Sequence, residues 1–128
     1  MISNKIVARF KDNTIKKGTT SNFLPNKPNF NLTLENGEIV DIRTEQLKAI
    51  YYVKDYLGNK DRPDAYHDNI PGGGRKIQIE FIDGEVLIGF SQGYSAARPG
   101  FFVIPADKEN NNERIYIISS AIKKASFI

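Results

Sequence analysis

The stretch Phe81-Ile-Asp-Gly-Glu-Val-Leu-Ile-Gly89 has a counterpart earlier in the chain, Phe10-Lys-Asp-Asn-Thr-Ile-Lys-Lys-Gly18, at a constant offset of 71. The correspondence runs outward from both. Ile6 falls on Ile77, Ala8 on Ile79, Phe23 on Tyr94, Pro28 on Pro99, Phe30 on Phe101 and Leu32 on Val103. After Leu34 and Pro105 the offset becomes 75, which places a four-residue insertion around Asn110-Asn111-Asn112. From there Val40 meets Ile115, Ile42 meets Ile117, Leu47 meets Ile122, Lys48 meets Lys123 and Tyr52 meets Phe127. A match this long, broken once and at a turn, points to internal duplication, which constrains a fold more than any single motif. Each copy spans only about 52 residues, near the size at which a lone core is marginal, so the copies are expected to pack together.

Within each copy the pattern is that of β-strands. Residues 5–10 place Ile6, Ala8 and Phe10 on one face and Lys5, Val7 and Arg9 on the other, the period-two signature of a half-buried strand. Asp12-Asn13 and Asp83-Gly84 supply residues tolerant of positive φ at a tight hairpin. The return strand ends at Gly18 or Gly89, where glycine marks a bulge or sharp bend. Phe30 to Leu34 is a third strand, Asn36-Gly37 a hairpin, and Ile39 to Ile42 a fourth strand. Thr44-Glu45-Gln46 is too short for an α-helix and reads as one 3₁₀ turn. Leu47 plugs the end of the core before a fifth strand over Ala49–Val53. Residues 55–74, dominated by charge, Pro and Gly, read as a linker between a first unit at 1–54 and a second at 75–128. In the second unit Val86–Phe90 and Phe101–Ile104 are near-continuous apolar runs, so its outer faces are expected to pack on the first unit or on another chain.

The order Ile77-x-Ile79-x-Phe81-x-Asp83-Gly84-x-x-x-x-Gly89 resembles the first half of the Sm-like motif. Phe23 and Tyr94 stand where that family places an aromatic. The resemblance implies an all-β fold of two tandem, five-stranded, strongly bent Sm-like (SH3-like) barrels. It also brings single-stranded RNA binding into view, but the family's RNA-contacting positions do not carry over. Its Asp after the aromatic is Leu24 or Ser95 here, its Asn ten residues past the glycine is Pro28 or Pro99, and its Arg-Gly pair is missing. The double pattern, with its Leu47-Lys-Ala-Ile-Tyr-Tyr-Val53 ending, also resembles a poorly characterised bacterial domain of unknown function.

Chemistry is sparse. The chain has no Cys, which removes disulfides and thiolate metal sites and fits a cytoplasmic protein. Met1–Lys5 precedes no apolar signal core, and no run approaches the ~18 apolar residues of a membrane span. His67 is the only histidine and lies in the linker, a poor place for a catalytic base or a zinc ligand. Asp12 and Asp83 sit at equivalent hairpins, where the backbone explains them without acid–base work. Gly72-Gly-Gly-Arg-Lys76 lacks the flanking elements of a phosphate loop, and Asp61–Asp68 lacks EF-hand spacing. The net charge of +3, from 18 basic and 15 acidic residues, is a weak sign of polyanion binding.

The strongest functional feature is the pair of equivalent loops at 19–29 and 90–100. They carry Asn22, Phe23, Lys27 and Asn29 in one copy and Tyr94 and Arg98 in the other, with Phe102 just past the second loop. Aromatic, cation and amide together can grip an acidic peptide or stack a base. The simpler role of Phe23 and Tyr94 is to fill the core. The sequence therefore points to a non-catalytic interaction or regulatory module that needs no metal or cofactor. Its expected partner is another protein, or a second copy through strand edges, with nucleic acid as the alternative and no membrane.

Overall fold

A computed structural model describes residues 4–25, 27–53, 74–91, 94, 97–105 and 112–128. The linker at 55–74, with His67, Asp61–Asp68 and Gly72–Gly73, therefore lies almost wholly outside the described residues. The first half contains β1 (Asn4–Phe10), β2 (Ile15–Thr20), β3 (Asn29–Leu34), β4 (Ile39–Arg43) and β5 (Leu47–Val53). The second contains β6 (Arg75–Phe81), β7 (Val86–Ser91), β8 (Gly100–Pro105), β9 (Asn112–Ile118) and β10 (Ile122–Phe127). Two single 3₁₀ turns, Thr44–Gln46 and Ser119–Ala121, complete it, the first where the sequence places one. Among the described residues no helix is long and apolar enough to cross a membrane.

All ten strands belong to one unclosed antiparallel sheet in the order β10-β6-β7-β8-β9-β5-β1-β2-β3-β4. The registers of the halves correspond. Ile6 pairs with Gly18 as Ile77 pairs with Gly89, and Phe10 with Leu47 as Phe81 with Ile122. The hairpins turn on Asn13 (φ 73°), Gly37 (φ 89°) and Gly84 (φ 94°), the left-handed conformation that Asn and Gly tolerate. Gly18 and Gly89 are needed for another reason. A Cβ on Gly18 would strike the Thr33 carbonyl oxygen, and one on Gly89 would strike the Val103 side chain and the Ile104 carbonyl. Strand 2 can press onto strand 3 of each half only where the side chain is absent.

The halves meet at β5 and β9, which pair with Ala49 opposite Ile117, Ile50 opposite Tyr116 and Tyr51 opposite Ile115. Side chains alternate across this seam, so both faces of both strands are used. Leu47, Ile50, Tyr52, Tyr116 and Ile118 enter one core with Ile6, Ala8, Phe30, Leu32 and Ile42. Ala49, Ile115 and Ile117 enter a second core with Ile77, Ile79, Phe81, Phe101 and Val103. The seam is thus a wall with a hydrophobic core on each side.

Of the outer faces of Val86–Phe90 and Phe101–Ile104, expected to pack on the first unit or on another chain, only part meets the first unit. Phe102 does face the first core, with its ring 4.9 Å from Tyr116 and 6.1 Å from Tyr52. Val86 and Ile104, however, are 53% and 36% exposed. Two-sided burial falls instead on β5 and β9, because those are the strands with a neighbour on each edge and a core on each face.

Truncation at the seam should weaken both halves together. Ile117→Ala is expected to lower the unfolding free energy by about 2–5 kcal/mol. Urea unfolding followed by far-UV circular dichroism and tyrosine fluorescence should still give one coincident transition, and separate transitions would mean that the cores are independent.

Candidate binding cleft

The two 3₁₀ turns end the fourth strands and fold back on the loops that follow the glycine bends. The Thr44 backbone N–H and hydroxyl both donate to the Pro28 carbonyl, at 2.9 and 2.7 Å. In the other half the Ser119 N–H donates to the Pro99 carbonyl at 2.9 Å, and its hydroxyl to the Arg98 carbonyl at 2.7 Å. A hydroxyl residue at the same place in each half therefore fixes the equivalent proline. Lys11 ties the two turns together, its Nζ donating to the Glu45 carbonyl at 2.9 Å and to the Ser120 hydroxyl at 2.6 Å.

Between these fixed points lies a half-open cleft of about 490 Å³. Its walls are Pro25, Pro28 and Pro99, with Tyr116 and Ile118 from β9, and its rim carries Lys27, Thr44, Glu45, Ser119 and Ser120. Both halves contribute, so it exists only because β9 is laid beside β5. Burial pushes the Tyr116 phenol above its ordinary range, opposed in part by the Arg98 charge. It is therefore neutral at physiological pH. The volume and the apolar walls with a few polar rim groups fit a ligand-sized recess.

The residues singled out from sequence land unevenly. Lys27 lines the cleft. Phe23 backs it, edge-on to Tyr116 at 5.1 Å and to Phe30 at 5.2 Å, and Arg98 stands next to Pro99 with its charge felt by Tyr116. Asn22 is spent within its loop, accepting from the Asn31 backbone N–H at 3.0 Å, and Asn29 donates to Asp41 at 2.8 Å. Tyr94 is remote from the cleft, filling the second core against Phe101 at 4.8 Å and Phe127 at 5.8 Å. Phe102 packs behind Tyr116. Sequence reasoning did not single out Pro25, Tyr116 or Ile118 for this role. The signal available was the recurrence of Pro28 as Pro99 at the first offset, 71, and of the hydroxyl residue Thr44 as Ser119 at the second, 75.

Further along the seam stands a polar cluster that the hairpin aspartates hide from sequence. Asp12 acts within its turn, accepting from the Thr14 N–H at 3.0 Å and hydroxyl at 2.6 Å, and these donors hold its carboxyl below the ordinary range. Asp83 does the same for the Glu85 N–H at 3.0 Å, but its other oxygen takes a hydrogen bond from Lys48 Nζ at 2.7 Å. Lys48 also donates to Glu85 and lies 4.5 Å from the centre of the Phe81 ring, with its side chain only 5% exposed. Lys48 first, then the Glu85 N–H, pull the Asp83 carboxyl below its usual range. Burial raises the neighbouring Tyr51 phenol, reinforced by Glu85 and opposed by Arg9. This hairpin of the second half is thereby latched onto β5 of the first. Both carboxylates are engaged by Lys48, and Glu85 also meets the Arg9 guanidinium at 3.5 Å; among the described residues no cluster of His, Cys, Asp and Glu could hold a metal.

A family model described as "Family of unknown function (DUF6982)" matches residues 2–128. No curated protein and no solved structure matches the chain.

Removing both carboxylates, Asp83→Asn with Glu85→Gln, strands a buried ammonium. The expected loss in urea unfolding is up to about 3 kcal/mol, moderated because both carboxylates stand partly in water. Lys48→Met, which removes the buried charge itself, should cost less than that pair. Asp83 is depressed in the folded state, so its contribution is present above the unfolded value and fades as pH falls through the folded one. The urea midpoint of the natural protein should therefore drop between about pH 5 and pH 2 more steeply than that of the double variant.

Proposed function

The chain belongs to this family of unknown function, and from the geometry of its cleft we propose that it is a non-catalytic protein-binding module. In this reading the halves are duplicated copies of one strongly bent Sm-like barrel, fused through the seam so that their loops make one recognition surface. The matching registers and equivalent turns support that view. The carrying observation is the jointly built cleft, apolar in its walls and held open by hydrogen-bonded loops. A preformed recess of this kind receives side chains of an extended segment with little ordering cost. Prolines and Tyr116 meet aliphatic or proline side chains of the partner, while Lys27 and Arg98 favour a neighbouring carboxylate.

Catalysis receives no support from Asp12 and Asp83, which are held as acceptors by donors in their own turns and by Lys48. Nucleic-acid binding draws little from the rings that would stack bases. Phe23, Tyr94 and Phe102 lie edge-on or tilted against other rings within the cores.

Affinity capture from native lysate with the whole chain, analysed for protein and nucleic acid, tests the reading. A specific protein should be retained by the natural chain and lost with Lys27→Glu or Pro25→Glu, exposed changes expected to leave the thermal midpoint in place. Retention by both variants, or a salt-sensitive nucleic acid in place of a protein, would overturn it.

A further inference from the structure

The two halves differ at one equivalent strand. In the first, Leu47, Ile50 and Tyr52 of β5 are buried, because β9 lays Tyr116 and Ile118 beside them with Phe102 behind. Their counterparts on β10, Ile122, Ala125 and Phe127, are only half-buried. β10 is the last strand of the sheet, and among the described residues none pairs with its outer side. Among the described residues, nothing covers the side of the second core that corresponds to the covered side of the first.

A second copy of the chain is badly suited to close it by repeating the seam. The other end strand is β4, and at the places of Phe102, Tyr116 and Ile118 the first half carries Asn31, Asp41 and Arg43. Repeating the β5–β9 register would set Asp41 opposite Ala125, where the internal seam sets Tyr116 opposite Ile50. Burying that carboxylate against an apolar surface is costly.

The charges around β10 describe a better occupant. Lys124 stands on the outer face, and the Arg75 guanidinium lies 4.0 Å from the centre of the Phe127 ring. In the internal seam a cation of the incoming strand fills the corresponding place, with Arg114 4.3 Å from the centre of Tyr52. On β10 the cation is already supplied from the same half. We propose that β10 is a docking edge for an acidic strand of another protein. The strand adds antiparallel in the register of the seam, lays a large apolar side chain on Ala125, and sets carboxylates against Lys124 and Arg75. Main-chain hydrogen bonds supply affinity, and the alternating pattern supplies selection. The inference is independent of the cleft.

The probe is the capped peptide Ser-Glu-Thr-Tyr-Glu-Ile-Ser, titrated into the isotope-labelled full chain and followed by amide chemical shifts. Saturable shifts confined to β10 and the adjoining β6 are expected. Lys124→Glu should weaken binding about tenfold, as a reversed charge at a contact does. Arg43→Glu on the opposite edge should leave it unchanged, and the peptide with both Glu changed to Lys should not bind. The proposal is overturned by no shift up to millimolar peptide, or by shifts centred on β4 or the cleft. It is equally overturned if the free chain sediments as a dimer whose β10 amides are already protected from exchange, since a second copy then occupies the edge.

Discussion

Everything in this molecule leans on the pairing of β5 with β9. Strands buried on both faces need apolar side chains at successive positions, and Ala49–Val53 and Ile115–Ile118 supply them. Each strand divides its residues between two cores, so neither half can complete its interior without the other. Two units of this size bury too little surface alone to outweigh the conformational entropy of folding. The shared wall adds apolar burial to both without lengthening the chain.

Polar groups are placed so as to keep that wall in register. Lys48 emerges from β5 into the hairpin of the other half and is met by Asp83 and Glu85. Lys11 crosses between the two 3₁₀ turns. A sliding of β5 against β9 would separate a buried ammonium from its carboxylates. These pairs act more on alignment than on net stability, because an ion pair gives back much of its attraction as lost hydration. The cleft inherits the alignment, since its walls come from loops that each half fixes separately.

The asymmetry between the ends of the sheet follows from the same pairing. Where the chain covers its own strand edge, the facing residues are Phe102, Tyr116 and Ile118; where its first half faces outward, the same places hold Asn31, Asp41 and Arg43. Polar and charged side chains at an edge restrain endless strand addition. On β10, which no other described strand pairs on its outer side, the aromatic ring of Phe127 is retained.

Much of the architecture was legible in the sequence. Period-two alternation located the strands, and Asn13, Gly37 and Gly84 marked the turns by their tolerance of positive φ; Gly18 and Gly89 read as bulges or bends, and the structure shows that they let neighbouring strands approach closely. These are local properties, carried by a few consecutive residues and their steric limits. The site was less legible. Lys27 could be named, whereas Pro25, Tyr116 and Ile118 join it only when loops of one half are brought to a strand of the other. Asp83 read as a turn residue, and its second role toward Lys48 depends on a hairpin from the second half reaching a strand of the first. By itself the sequence determined which segments are strands and where they turn. The tertiary structure decided which edges meet, because hydrophobic attraction has no direction and the choice among apolar strands is made only when all of them pack at once.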